Sequence, residues 1–170
     1  MLMNKRVISF LVALTFVLFA NAQINNNILN LNLGVSTKTE AKRVLSSNNC
    51  NIISESAGDV VTQNMEFCGI TWAETHFMFM NDKLYNIVFA LSDKNNDDTT
   101  LKKLRLYLDK SFYDKYSKYI KTNKDQLYFF DGKTKVSTEY FVKDGTWILT
   151  LTYTDIQLLK DYVNKGHDDI

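Results

Sequence analysis

Proline is absent from this chain. That removes stiff polyproline spacers and favours one compact unit over two tethered domains. An excess of one charge is missing too: 20 Lys and Arg stand against 19 Asp and Glu, for a formal net charge of +1. The charges are dispersed and no basic arm or stripe stands out, which argues against a nucleic-acid partner. There are two cysteines, Cys50 and Cys68, and two histidines, His76 and His167. Glycine-rich phosphate loops, G-x-S-x-G, H-E-x-x-H and C-x-x-C do not occur, so no cofactor, metal or catalytic residue is assigned. Any N-x-Ser/Thr glycosylation acceptor is likewise lacking.

What is present begins with a leader. Lys5 and Arg6 precede the apolar run Val7 to Ala20, which ends at Ala20-Asn21-Ala22 before Gln23. A basic start, a short apolar stretch and a small-x-small site make a secretory signal peptide over residues 1–22. The run falls short of the ~20 apolar residues of a membrane span, and no second such stretch follows, so no stable membrane insertion is expected after cleavage. The cleavage point carries no lipidation cysteine. A periplasmic or secreted location follows, and removal of Lys5 and Arg6 takes the net charge just below zero. In an oxidising compartment, Cys50 and Cys68 are expected to form a disulfide, contributing ~3 kcal/mol in the chain-entropy model.

The remaining 23–170 reads as a single α+β domain. Leu29, Leu31, Leu33 and Val35 alternate with polar residues as a short strand after a frayed 23–27. Thr37 and Glu40 form a capping box for a helix to about Ser46. Two modest strands, Cys50 to Ser54 and Asp59 to Phe67, join through a turn at Ser56-Ala57-Gly58. A long hairpin, Thr71 to Asp93, is expected to turn through a three-residue loop, Asn81-Asp82-Lys83. That register pairs Phe79 with Tyr85, Phe77 with Ile87, Thr75 with Phe89 and Ala73 with Leu91 on one apolar face. Asp98 or Thr99 caps a long helix with Leu101, Leu104, Leu108, Phe112, Tyr116 and Tyr119 along one stripe. Gln126 to Phe130 reads as a strand. A second hairpin, Thr134 to Val142 and Thr146 to Tyr153, turns at Lys143-Asp144-Gly145 and presents Phe141, Trp147, Leu149, Leu151 and Tyr153 to the core. Asp155 caps a closing helix stopped by Asn164-Lys165-Gly166.

The second hairpin echoes the first. A constant shift of 62 positions carries Phe79 to Phe141, Asp82 to Asp144, Ser92 to Thr154 and Asp93 to Asp155, with Tyr85 on Trp147. Two tandem helix plus antiparallel β-meander repeats, about 29–93 and 98–163, would share one sheet with their helices on one face.

The order of elements, the F-x-G turns Phe67-Cys68-Gly69 and Phe130-Asp131-Gly132, and the ending TWILTLTYTDIQLLKDY resemble small, mostly uncharacterised exported proteins of Gram-negative gut anaerobes built from such repeats. Their architecture is similar to that of beta-lactamase inhibitor proteins. The resemblance implies a concave sheet surface that grips a protein or peptide, without implying inhibitor activity. Similar repeats occur in outer-membrane assembly lipoproteins, from which this chain departs by lacking the lipidation cysteine.

On the derived register, the face of the first hairpin turned away from the helices carries Trp72, Glu74, His76, Met78, Met80 and Asn86. The second hairpin adds Tyr140 and Ile148. Aromatic and methionine side chains among polar neighbours are what interfaces enrich, so this set is the candidate binding surface. Glu74 and His76 point the same way and would serve a small hydrolase or metal-dependent enzyme, the alternative reading, with a structural envelope component as a third. Asp93-Lys94-Asn95-Asn96-Asp97 begins like a calcium loop, but Asp98 stands where glycine is needed and Leu104 where a glutamate is needed.

Overall fold

The computed structural model describes residues 23–93, 98–123 and 126–165. The expected signal peptide at 1–22, residues 94–97 of the calcium-like stretch, residues 124–125 and the tail from Gly166 on, with His167, lie outside the described residues, as do the side chains of Asp93 and Asp98. The described chain is α+β, with ten strands and three α-helices. In order these are β1 (Asn27–Ile28), β2 (Leu31–Asn32), α1 (Lys38–Ser47), β3 (Asn51–Glu55), β4 (Asp59–Phe67), β5 (Ile70–Met80) and β6 (Lys83–Asp93). Then come α2 (Asp98–Tyr116), a 3-10 turn (Ser117–Tyr119), β7 (Ile120–Asn123), β8 (Gln126–Phe130), β9 (Thr134–Lys143), β10 (Thr146–Asp155) and α3 (Ile156–Val163). Strands β3 to β10 form one antiparallel sheet in the order β3-β4-β5-β6-β10-β9-β8-β7, and β1 pairs with β2 alone.

Local chemistry accounts for the element ends. Thr37 accepts the amide of Glu40 through its hydroxyl and Asp155 accepts that of Leu158, so both helices start on an oxygen acceptor. Both long hairpins turn through two residues, not three. Asn81 and Asp82 have φ of 49° and 58°, and Asp144 and Gly145 have 51° and 73°, the doubly left-handed turn that matches strand twist. Lys83, expected in a strained turn position, instead pairs with Met80 as an ordinary strand residue.

The corrected loop length has different consequences in the two hairpins. In the first, a register shift beside Met78 and Phe79 leaves Tyr85 as an extra residue and pairs Phe79 with Leu84. That bulge restores Phe77 to Ile87 and Thr75 to Phe89, as expected. No bulge follows in the second: Phe141 pairs with Ile148 and Tyr140 with Leu149. A one-residue slip exchanges the two faces of a strand, so Tyr140 turns toward the helices and Phe141 away from them.

One core lies on the helix side of the sheet. Ala41 and Leu45 of α1 and Leu101, Leu108, Phe112 and Tyr116 of α2 close over Phe77, Ile87, Phe89, Leu149 and Leu151. The amino-terminal segment fills this layer too. Ile24, far from frayed, is buried, and the Asp131 carboxylate accepts its amide at 2.9 Å. Gly34 joins the layer to the sheet by donating its amide to the Leu84 carbonyl at 2.7 Å. A Cβ there would come within 2.3 Å of the Asp155 carboxylate, and the φ is +78°, so both space and backbone call for glycine.

The far end of the β4–β5 hairpin leaves the sheet. Pairing of β5 with β6 ends at Glu74 and Ala90, while pairing of β4 with β5 continues to Phe67 and Ile70. Beyond Asn64, whose φ is +54°, the side facing the core changes, so Met65 and Trp72 are buried. The detached end curls over the core, with Phe67 stacked on Phe89 at 4.5 Å and edge-on to Tyr153.

Candidate functional site

The second face of the sheet, turned away from α1 and α2, is built by register. Val61, His76, Val88, Thr152, Ser137 and Tyr128 are successive partners across six strands. Beside them run Asp59, Met78, Asn86, Thr154, Lys135 and Phe130. On the other side are Gln63, Glu74, Ala90, Thr150 and Glu139, and a shorter row of Ser92, Ile148 and Phe141. Strand alternation sets all of these opposite the core residues between them. Most are half-buried, held by neighbours along the sheet.

One end of this face is occupied. Helix α3 is the exception to the expectation that all helices lie on one side: Ile156 and Lys160 share a depression of about 210 Å³ with Tyr128, Phe130 and Lys135. Its chain direction is set by Asp155, which is buried, caps the helix, and faces Lys133 at 3.7 Å.

The candidate residues divide as follows. Glu74, His76, Met78, Asn86 and Ile148 share the second face. Met80 alternates with them but is buried at the hairpin end. Trp72 belongs to the core: the curled hairpin covers it, its indole N–H donates to the Phe67 carbonyl at 3.0 Å, and its ring lies 5.6 Å from Phe89. Tyr140 lies on the helix side, stacked on Trp147 at 4.8 Å with the planes within 4°. Phe141 takes its place on the second face and is 39% exposed.

A polar chain occupies the middle of the face. His76 Nδ1 lies 2.9 Å from the Asp59 carboxylate and Nε2 lies 3.6 Å from that of Glu74. Asp59 carries no sequence signal linking it to His76; only the pairing of β4 with β5 brings them together. Its second carboxylate oxygen is buried without a hydrogen-bond partner. Burial, and then the Asp59 charge, push the Tyr85 hydroxyl above the usual tyrosine range. Asn86 accepts from the Thr154 hydroxyl at 3.1 Å and donates to the Met78 sulfur at 3.5 Å. The Nδ1–Asp59 contact orients the ring, while Nε2 stands beyond hydrogen-bond distance of Glu74. Among the described residues no group of three or more His, Cys, Asp or Glu side chains is arranged to hold a metal ion.

The expected disulfide does not form, and both cysteines are free thiols. Strand β3 begins at Asn51 opposite Gln63, whereas β4 continues to Phe67 before Cys68 takes the left-handed turn position. Cys68 is thus displaced along the strand from Cys50 by roughly 14 Å, about four residues at ~3.4 Å each, and disulfides need Cα atoms within about 7 Å. Burial pushes both thiols above their ordinary range; for Cys68 the Lys115 charge opposes the effect without reversing it. No protein-family model, curated protein or solved structure matches this chain.

Proposed function

We propose that this chain is an exported binding module that recognises a protein or peptide on the second face of its sheet. The supporting observation is the row His76, Val88, Thr152, Ser137 and Tyr128, which crosses five strands and borders α3 at its Tyr128 end. At ~4.8 Å between strands and ~6.8 Å between same-face residues, the rows span roughly 500 Å². That approaches the ~800 Å² one partner contributes to a standard interface. Export rests on the composition of the leader.

The tandem-repeat reading is part of the same proposal. Helix α1 with β3 to β6 would be one unit and α2 with β7 to β10 the other. Strand order runs outward from β6 and β10 in both directions, in support of this reading. Under the 62-residue shift Phe89 corresponds to Leu151, and these two are register partners, as a two-fold axis between the central strands requires. At the turns the correspondence becomes 63, since the extra Tyr85 occurs only in the first unit.

The test uses charge changes at exposed positions of the face, Glu74→Lys with Phe141→Lys. A partner retained saturably by the native protein from an envelope extract, then purified, should bind the double variant at least tenfold more weakly, about 1.4 kcal/mol. The melting temperature should stay unchanged. Equal affinity of that purified partner for both proteins, or no saturable partner at all, would sink the proposal.

A further inference from the structure

The outward side of α2 combines charge with exposed apolar surface. Between Leu101 and Lys121 seven Lys and Arg stand against two acidic residues, in a chain whose totals are 20 and 19. The near-balance of the whole chain therefore conceals a local excess. Asp109, one of the two acids, turns toward the sheet, where it pairs with Arg105 at 3.5 Å and accepts from the Thr138 hydroxyl. That leaves Asp114, with Asp98 at the start of the helix, against Lys102, Lys103, Lys110, Lys115 and Lys118, these five lysines all exposed. Three of these lysines lie over aromatic rings, of Trp147, Tyr116 and Tyr119, and a ring positions an ammonium without neutralising it. The same stretch exposes Leu106 at 67%, Tyr107 at 55% and Tyr113 at 53%. None of the three serves the core, which α2 contacts through Leu101, Leu108, Phe112 and Tyr116.

We propose that this helix face docks the protein peripherally on an anionic lipid surface. Charge complementarity supplies the attraction, and roughly a fivefold gain in partition is expected for each lysine near such a surface. The residue types favour lipid over a protein partner, because lysine is depleted at protein interfaces where arginine is enriched. Lysine stems can lie along the hydrocarbon boundary with their ammonium groups among phosphates, while tyrosine rings sit at headgroup depth. The 19 residues of α2 give a contact roughly 28 Å long. Its main apolar stripe is engaged in the protein core, so Leu106 and the two tyrosines are what would enter the interface, and no described helix is long and apolar enough to cross a membrane. The second sheet face would then point away from the lipid. Docking is independent of what that face binds.

The experiment is flotation of the processed protein, as recovered from its host, with phosphatidylcholine vesicles containing roughly one-third phosphatidylglycerol and with phosphatidylcholine alone. Partition should be at least tenfold greater on the anionic vesicles and should fall more than tenfold on raising salt to about 0.5 M. Lys103→Glu with Lys110→Glu should lower it about 25-fold or more, and Leu106→Asn a few-fold, each with an unchanged melting temperature. The same charge reversal off the helix, Lys143→Glu with Lys165→Glu, should leave it unchanged. Equal partition on both vesicle types, no partition, an equal loss from the off-helix reversal, or retention by duplex DNA or an acidic protein in place of vesicles would each overturn the proposal.

Discussion

Replacing Trp72 with alanine tests the reversal of β5 and the curl of the β4–β5 hairpin over the core. Trp72 is fully buried, touches the Phe89 ring, and donates its indole N–H to the Phe67 carbonyl. A buried tryptophan truncated to alanine costs about 3–5 kcal/mol through lost transfer energy and the residual cavity. Leaving the Phe67 carbonyl unpaired adds about 1 kcal/mol. A total near 4–6 kcal/mol is a large share of the roughly 5–15 kcal/mol available to a domain, and corresponds to a fall in melting temperature of roughly 10–20 °C. Urea denaturation followed by far-ultraviolet circular dichroism would measure it. Trp72→Phe separates the contributions, since it retains a ring and loses only the donor and some volume, at about 1–2 kcal/mol. In a Trp147→Phe background the emission of Trp72 should be that of a buried indole. A loss below about 1 kcal/mol for Trp72→Ala would mean that the indole lies at the surface, as uninterrupted strand alternation predicts, and the described hairpin end would be wrong.

Two further outcomes follow from Tyr153 and the two cysteines. Burial, with smaller contributions from the Cys68 and Tyr116 charges, raises the Tyr153 hydroxyl far above its usual range. The folded state then keeps its proton where the unfolded chain releases it, so this stability is fully present below pH ~10 and falls by up to about 1.4 kcal/mol per unit above it; the urea midpoint of Tyr153→Phe should decline less steeply between about pH 9 and 11. Native protein isolated without reductant should contain two titratable thiols; an intact mass two hydrogens lower would contradict the separation of Cys50 and Cys68.

Much of the fold was legible because it is encoded locally. Thr37 and Asp155 sit as helix caps and β4 and β8 have the expected bounds, since capping oxygens and apolar spacing act within a few residues. The candidate site was half legible. Glu74, His76, Met78, Asn86 and Ile148 share a face because alternation holds along unbroken pairing, whereas Trp72 and Tyr140 fall on the other side. Asp144-Gly145 is a standard two-residue turn signal, and reading it so would have assigned Tyr140 and Phe141 correctly. Nothing in the local sequence around Trp72 indicates that β5 parts from β6 there.

The sequence by itself determined the class of the protein, its helices and long hairpins, its capping residues, and most of the residues able to form a core, all of which depend on neighbours a few positions away; it missed β7 and read the β1–β2 pair as one strand. Only the tertiary structure decided which strands end early, and with that the separation of the two thiols, the burial of Trp72, the meeting of Asp59 with His76, and the position of α3 on the second face. Those outcomes depend on how far each pairing extends before twist and packing on the helix layer become more favourable than another ladder hydrogen bond, a balance between residues distant in the chain.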